Sequence, residues 1–300
     1  PAVGPEAGTE EEPFGMPAVE PPAELPEPGA EPDADDEPPA LPAEEPGALE
    51  PPGLEEGEGV ELEMEPGPDA AEAEPKAPPL GDPLVENAEG LKRLDDTRPI
   101  WLDMKGRRVV MIGRVCQREA PLELFACLKN TKEHEAVLSI DVEAFTTHAG
   151  LLALGAEPGH PVSWDPEYVP AAGTEIDVLV HWKDAQGKVQ SARAQDWVYD
   201  IETEKAMDHA WVFAGSGFWV DEETGRKHYK AEGGDFICVS NFSSAMLDLP
   251  IESSQANAAL MFKAYTERIP PLGTPVTVLL RPKLDEQEKA FNFRKVLLIN

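Results

Sequence analysis

The sequence predicts an α+β fold of mostly antiparallel β-strands with one main α-helix, preceded by a long disordered segment rich in acidic residues and proline. Three observations lead to this prediction. The composition changes abruptly near residue 80, apolar and polar residues alternate along most of the remainder, and one stretch has clear helical spacing. Alternation with a period of two is typical of half-buried strands, whereas a helix repeats every 3.6 residues.

Proline and acidic residues dominate the first part of the chain. Residues 1–80 contain 20 of the 32 prolines and 24 of the 58 acidic residues, but a single basic residue and one aromatic residue, Phe14. A segment with so little to bury cannot offset roughly 1–2 kcal/mol of backbone ordering per residue. We therefore predict a disordered acidic tether over residues 1–85 and a single folded domain over residues 86–300.

The charge balance limits the class of partner. The formal net charge is −33, whereas a nucleic-acid groove needs a basic patch to displace counterions. No apolar run approaches the roughly 20 residues that span a bilayer. We expect an unknown ligand or protein partner, with no nucleic acid and no membrane span. The start at Pro1 fits a missing N-terminal segment that tethers the protein to a membrane, and an arbitrary boundary fits equally.

The first predicted elements form a strand-turn-strand-helix unit after a hairpin. Residues 98–117 predict a β-hairpin, because apolar alternation continues on both sides of Lys105-Gly106. Strands are predicted over residues 122–128 and 133–140, separated by four residues of turn character. A helix is predicted over residues 142–154, with Asp141 as its N-cap and Gly155 after its end.

The rest of the chain predicts strands. A glycine-rich bend follows Phe213, and because no helix start comes after it, a phosphate-binding loop is not indicated. We instead expect Phe218 and Trp219 to pack on the sheet after the bend. These further strands are predicted over residues 175–182, 188–199, 211–220, 229–230, 235–239, 246–249, 260–265, 275–281 and 291–299.

Reactive side chains are concentrated in the strand-turn-strand-helix unit. In a strand over residues 133–140, His134 shares the apolar face with Leu138, while its two glutamate neighbours point the other way. In the helix, His148 lies three residues after Phe145 and four before Leu152, on an apolar stripe. Both histidines are therefore predicted to point inward. The candidate functional site comprises Lys132, Glu133, His134, Glu135, His148 and Cys127.

Several chemistries fit these residues. Buried imidazoles that only stabilise the fold are one interpretation, and an acid–base pair is another, since imidazole titrates near neutral pH. His134 and His148 are also candidate metal ligands, with Cys127 or Glu135 as the third. Cys127 as a nucleophile beside His134 is a further alternative. Because the HExxH and CxxC spacings of zinc sites are absent, we predict no cofactor and keep a divalent metal as the alternative.

Four segments resemble the YdjY-domain family of bacterial proteins, which is often found in planctomycete-type genomes. They are REAPLELFACLKNTKEHEAVLS, THAGLLALGAEPGHP, WVFAGSGF and DFICVSNFSSAMLDLPIESS, within residues 109–280. The resemblance implies one compact domain and an exported, periplasmic or envelope-associated location. It also implies that Lys132, Glu133, His134, Glu135 and His148 belong together.

Two functional hypotheses follow from these observations. The first is a non-enzymatic extracytoplasmic binding or structural module, with a pocket near His134 and His148. The alternative is a hydrolase-like or metal-dependent enzyme that uses the same histidines with Glu135 or Cys127.

Deleting residues 1–80 is expected to leave the melting temperature of the domain nearly unchanged, because a segment without large apolar side chains contributes little to a core. Thermal unfolding of the full and shortened chains, followed by circular dichroism, measures the difference. A large drop contradicts the tether interpretation.

Overall fold

The structure is a computed structural model that describes residues 79–253 and 259–284. This part of the chain is mostly β, with 37% of it in strands and 12% in helices. Its helices are α1 (Ala144–Ala153) and the 3-10 helices Ala88–Gly90, Glu133–Glu135, Ala194–Trp197 and Lys230–Gly233. Its strands are β1 (Lys92–Arg93), β2 (Ile100–Asp103), β3 (Arg108–Val115), β4 (Leu124–Leu128), β5 (Ala136–Ile140), β6 (Pro158–His160), β7 (Ala172–Gly173), β8 (Glu175–Lys183), β9 (Val189–Arg193), β10 (Val198–Asp200), β11 (Lys205–Ala206), β12 (Trp211–Phe213), β13 (Phe218–Val220), β14 (Lys227–Tyr229), β15 (Ile237–Cys238), β16 (Leu247–Asp248), β17 (Phe262–Ala264) and β18 (Pro275–Pro282).

Eight strands of the described chain close into a barrel. The order around the ring is β3, β18, β8, β12, β16, β15, β4 and β5, and pairing of β5 with β3 completes it. Neighbouring strands are antiparallel except for the pairs β4–β5 and β15–β16, which are parallel. Closure gives each of these strands a hydrogen-bonding neighbour on both sides, so the ring itself has no free edge.

Two long strands belong both to the barrel and to the sheet outside it. One edge of β3 pairs with β2 over residues 108–111 and with β5 over residues 113–115. One edge of β8 pairs with β12 at its start and with β9 toward its end. Strand β18 lies between β3 and β8 and pairs with both. These three strands are therefore the base that the barrel and the outer strands share.

The ring closes at Gly113. This residue pairs with Ile140 of β5 on one side and with Val276 of β18 on the other. A Cβ atom at this position would lie 2.7 Å from the carbonyl oxygen of Ser139 and 2.8 Å from Cγ1 of Ile140. Because carbon atoms do not approach neighbours so closely, glycine is the residue that lets β5 lie against β3 here.

Aromatic side chains occupy the centre of the core. Phe125, Trp197 and Trp211 are fully buried, and the ring centroid of Phe125 lies 5.6 Å from that of Trp211. The indole N–H of Trp211 donates a hydrogen bond of 2.6 Å to the carbonyl oxygen of Cys238. Its one polar atom is therefore satisfied, and the ring keeps the full benefit of burial.

Helix α1 packs on β3 through small residues. Its buried positions are Ala144, Thr147, Gly150 and Leu151. A Cβ atom on Gly150 would lie 2.9 Å from Cγ2 of Val109, so the helix backbone lies very close to the strand. The absence of a side chain at this position allows the close approach.

The predicted α+β fold class is wrong, because the described chain forms a mostly β fold with a closed barrel. Alternation along each strand reports which face is buried and carries no information about whether the first and last strands meet. Helix α1 is a minor part of the fold, since it has ten residues and lies outside the ring. The strand pair β4–β5 is parallel, so the predicted strand-turn-strand segment is not a hairpin.

Most other elements are confirmed within a few residues. The hairpin around Lys105-Gly106 is the pair β2–β3, and the strands predicted near residues 175–182 and 275–281 are β8 and β18. The helix begins at Ala144 rather than residue 142, and Asp141 pairs with Lys129 at 2.7 Å instead of capping it. The strand predicted over residues 291–299 and residues 1–78 of the predicted tether lie outside the described residues.

Gly113→Ala is expected to destabilise the domain by about 1–3 kcal/mol, because the added methyl group must displace the backbone of β5. Gly90→Ala is the matched control, since nothing lies within 4 Å of a Cβ atom there, and it should change stability by less than about 0.5 kcal/mol. Urea unfolding of both variants measures the difference. Equal stability of the two variants contradicts the role given to Gly113.

Candidate functional site

The predicted charged cluster lies in the connection between the parallel strands β4 and β5. This connection folds into the 3-10 helix Glu133–Glu135 instead of extending the strand, so the period-two argument does not apply there. The prediction that His134 points inward is wrong, because its side chain is 75% exposed. Its Nε2 atom lies 3.3 Å from Oε1 of Glu135, which is the contact that positions the ring.

Lys132 pairs with a carboxylate and lies over an aromatic ring. Its Nζ atom is 2.8 Å from Oδ1 of Asp235 and 4.2 Å from the ring centroid of Phe242. Burial alone would lower the pKa of Lys132, but the hydrogen bond and the charge of Asp235 outweigh it and raise that pKa. The amine is therefore held as a cation between a carboxylate and an aromatic face.

Two glutamates complete this group. Burial raises the pKa of Glu123, and the charge of Glu135 and its hydrogen bond to Glu123 raise it further. Glu123 therefore holds its proton more tightly than an isolated glutamate would. We call Lys132, Glu123, Glu135, Asp235 and Phe242 the lysine cluster.

A more deeply buried carboxyl group lies beside the lysine cluster. Asp248 is fully buried and accepts hydrogen bonds from the backbone N–H of Leu249 at 2.8 Å and from the side chain of Asn241 at 3.2 Å. Burial raises the pKa of Asp248 to about 7, although these donors lower it. Asp248 therefore titrates near neutral pH.

His148 lies in a second, aromatic group on helix α1. Its Nδ1 atom is 2.8 Å from the hydroxyl oxygen of Tyr229, and that hydroxyl donates to the carbonyl oxygen of Gly215 at 2.9 Å. Because the hydroxyl has a single hydrogen, both contacts are satisfied when Nδ1 carries a hydrogen and donates it. Burial lowers the pKa of His148, so the neutral ring with a free Nε2 lone pair is favoured.

The predicted apolar stripe of helix α1 is wrong. Phe145 and Leu152 are about half exposed, at 48% and 46%, and His148 is half-buried. The small residues of the helix face β3 instead. Phe145 packs against two aromatic rings outside the helix, with its ring centroid 5.9 Å from that of Phe218 and 5.7 Å from that of Tyr229.

A line of hydrogen bonds connects the histidine group to the lysine cluster. Ser216 follows Gly215 and donates its hydroxyl hydrogen to the carbonyl oxygen of Ser244 at 2.6 Å. The hydroxyl of Ser244 donates to a carboxylate oxygen of Asp235, which pairs with Lys132 through its other oxygen. The structure therefore connects His148 to Lys132 through several intermediates and records no direct contact between His134 and His148 among the described residues.

Two predicted site residues lie on the other side of the connection. The carboxylate of Glu133 accepts hydrogen bonds from the backbone N–H of Asn130 and, at 3.1 Å, from the hydroxyl of Ser139. Cys127 is fully buried in β4 and packs among apolar residues. Neither residue joins the lysine cluster, so the six predicted residues are divided among three places.

Sequence reasoning missed the partners of Lys132 and His148. Asp235, Asp248 and Tyr229 come from segments that are distant along the chain, and no spacing rule connects them to residues 132–135. One signal was present, since Asp248 interrupts the apolar run MLDLP, where a buried carboxylate needs donors.

The bend at Gly215 is confirmed, but the packing predicted after it is wrong. Phe218 and Trp219 on β13 are 53% and 48% exposed. Strand β13 pairs with β14 in a two-stranded sheet of its own, so neither side chain lies on the barrel. The ring of Trp219 stacks instead on His228, at 4.5 Å between centroids.

Two possible features were not found in the described part of the chain. Residues 79–253 and 259–284 contain no group of three or more histidine, cysteine or acidic side chains placed to hold a metal ion. Over the same residues, no helix has the length and hydropathy that a membrane span requires.

The fold and the polar groups define a small β-barrel domain with one covering helix. The family profile described as the YdjY domain matches residues 100–281, more than half of the chain. The chain therefore belongs to the YdjY-domain family, as the four resembling segments indicated. No curated protein and no solved structure matches it.

The stability of the domain is expected to fall as pH rises from about 4 to about 7. The pKa of Asp248 is raised in the folded protein, so over this window the folded chain binds more protons than the unfolded chain does. Between pH 5 and pH 7 the loss is roughly 2–3 kcal/mol, at about 1.4 kcal/mol per pH unit.

Asp248→Asn removes this titration and should flatten the dependence on pH. Urea unfolding of the unmodified chain and the variant at pH 5, 6, 7 and 8 measures it. An unchanged slope in the variant contradicts the assignment to Asp248.

Proposed function

We propose that the domain is a non-enzymatic, extracytoplasmic binding module that recognises a cationic group of its ligand at the lysine cluster. The observation that carries the proposal is the imbalance of charge around Lys132. Asp235 pairs with its amine, the charge of Glu123 acts on it as well, and Glu135 interacts with Glu123, so that three carboxyl groups are grouped with a single amine. Buried charge that lacks compensation is costly, so an additional cation is favoured there.

The cluster already holds one ammonium group in the way that a ligand would be held. Lys132 lies over the face of Phe242 and pairs with Asp235. Aromatic faces and carboxylates are the two partners that organic cations prefer. The exposed His134 and the half-buried Glu135 form the open side of the cluster, where a ligand would enter.

Unused hydrogen-bonding capacity beside the cluster also supports binding. Ser240 is almost fully buried, and its backbone N–H donates to the carbonyl oxygen of Glu123 at 3.0 Å. Its hydroxyl has no hydrogen-bond partner among the described residues. An unmade hydrogen bond of a buried hydroxyl costs about 1–3 kcal/mol, so the region beside the cluster contains a polar group that its own fold does not satisfy.

The proposed extracytoplasmic location rests on the family rather than on a structural feature. The resemblance that the sequence shows implies export, and the acidic segment over residues 1–85 is suited to a tether. In this proposal the tether separates the binding domain from the surface to which the chain is attached.

Acid–base catalysis at the same cluster is a second candidate function. The raised pKa of Glu123 favours it, because a carboxyl group whose pKa is raised is a common source of a general acid. Chemical conversion of a bound cationic ligand, as opposed to its release unchanged, distinguishes the enzyme from the binding module.

L-arginine amide is expected to raise the melting temperature of the unmodified chain, because a ligand that binds only the folded state stabilises it. The free energy of unfolding rises by about 2.7 kcal/mol when the ligand concentration is a hundred times its Kd. Glu135→Gln should abolish the increase, since it removes the accessible carboxylate of the lysine cluster.

Glu175→Gln is the matched control. It makes the same chemical change at Glu175, an exposed residue of β8 that pairs with Lys283. This variant should keep the full increase in melting temperature. Thermal shift measurements are made at equal ionic strength with sodium chloride as the reference salt. Equal shifts in all three proteins, or none in the unmodified chain, contradict the proposal.

A further inference from the structure

Helix α1 and the hairpin formed by β13 and β14 present large apolar side chains to solvent. Phe145 and Leu152 lie two turns apart on one side of the helix, and both are half exposed, as are Phe218 and Val220 on β13. The rings of Phe145 and Phe218 meet edge to face. We call Phe145, Leu152, Phe218 and Val220 the apolar patch. Exposed apolar surface shared by two elements is typical of a place that another segment or molecule covers.

The two faces of the hairpin have different neighbours. Because successive side chains of a strand point to opposite faces, Phe218 and Val220 share one face, and Trp219 lies on the other. The ring of Trp219 stacks on His228 of β14. The face of Phe218 is the one beside helix α1, since Phe145 contacts its ring. The apolar patch therefore combines one side of the helix with one face of the hairpin.

Strand β13 also has an edge that no other described strand occupies. Its three residues pair with β14, and these two strands form a sheet by themselves among the described residues. A two-stranded sheet is marginally stable in water, and a third strand with an apolar face stabilises it. An open edge is also the place where an extended segment adds to a sheet. The edge and the apolar patch together therefore suit an extended apolar segment.

The described part of the chain ends close to this surface, one residue after Lys283. The backbone N–H of Lys283 donates to the carbonyl oxygen of Glu175 at 2.9 Å, and the neighbouring carbonyl of Thr174 accepts from the backbone N–H of Phe213 at 2.8 Å. The ring of Phe213 lies 4.8 Å from that of His148, which borders the apolar patch. Few contacts therefore separate the end of the described chain from the patch.

The segment that follows has the length and the composition to cover the patch. Residues 285–290 are mostly polar, and residues 291–299, FNFRKVLLI, carry six large apolar side chains. Extended chain from residue 284 to residue 291 spans at most about 23–25 Å, which is enough to cross a few side chains. In the strand that the sequence predicts there, Phe291, Phe293, Leu297 and Ile299 share one face.

Charge favours this segment over a second copy of the hairpin. The turn between β13 and β14, residues 221–226, carries three acidic side chains and one basic side chain. Residues 291–300 include Arg294 and Lys295 and no acidic residue. The segment would bring opposite charges to the turn, whereas two hairpins that paired with each other would bring like charges together.

We propose that residues 291–299 cover the apolar patch and add a third strand to the open edge of β13. Main-chain hydrogen bonds to β13 supply part of the affinity, and the face with Phe291 and Phe293 packs on the patch. Arg294 and Lys295 then lie near the acidic turn. This contact is separate from the lysine cluster and does not depend on the function proposed for it.

Hydrogen exchange of the full chain, measured by mass spectrometry, tests the contact. Amides of residues 291–299 are expected to exchange at least about tenfold more slowly than those of an unstructured peptide. Phe218→Asp places a charge in the apolar patch and should abolish this protection. Phe293→Asp makes the reciprocal change in the segment and should also speed exchange at residues 218–220.

Leu272→Asp is the matched control, because Leu272 is an equally accessible apolar residue that lies beside the other end of β3. It should leave residues 291–299 protected. Rapid exchange of these residues in the unmodified chain overturns the proposal, and so does protection that survives Phe218→Asp or is lost in Leu272→Asp.

Two further results would also overturn it. Protection that appears only as the chain dimerises, followed by light scattering over a range of concentrations, assigns the apolar patch to a second copy. Unchanged exchange at residues 218–220 in Phe293→Asp places the segment elsewhere. If Phe218→Asp does not fold, as judged by exchange of β3 and β18, Phe293→Asp remains as the test, since it alters no residue of the barrel.

Discussion

The close approach of β3 and β5 at Gly113 is the constraint on which the rest of the structure depends. Without a side chain at this position, β5 can pair with the end of β3 and complete the ring of eight strands. Closure also fixes the connection between β4 and β5, which holds the charged residues 132–135. The location of the lysine cluster therefore depends on a residue that carries no functional group.

The short connection between the parallel strands β4 and β5 has a different set of polar contacts on each side. On one side, Lys132 pairs with Asp235, which a later part of the chain contributes. On the other side, the carboxylate of Glu133 accepts hydrogen bonds from the backbone N–H of Asn130 and from the hydroxyl of Ser139. Parallel pairing normally needs a connection of a dozen or more residues, so this shorter one leaves its side chains little freedom to rearrange. The polar contacts on both sides of the connection are therefore held in a fixed geometry.

Strands were predictable from the sequence because their alternation is local, and β2, β3, β8 and β18 were found close to their expected bounds. Closure was not predictable, since it joins residues 113–115 to residues 138–140 through backbone contacts that no pattern encodes. For the site, Lys132 and His148 were identified from their chemistry, whereas their partners Asp235 and Tyr229 were not. His134 was placed wrongly because one turn of 3-10 helix replaces three predicted strand positions and turns its side chain to the surface.

Strand β18 has a consequence for the order in which the chain acquires structure during synthesis. Its pairing with β3 and β8 joins residues 275–282 to partners nearly 100 residues or more earlier. Ribosomes make proteins from the N-terminus, so the ring remains open until almost the whole domain has been translated. Contacts of such long sequence separation also slow folding. The nascent barrel is therefore a chain with unpaired β3 and β8 edges, and its completion is a late, concerted event.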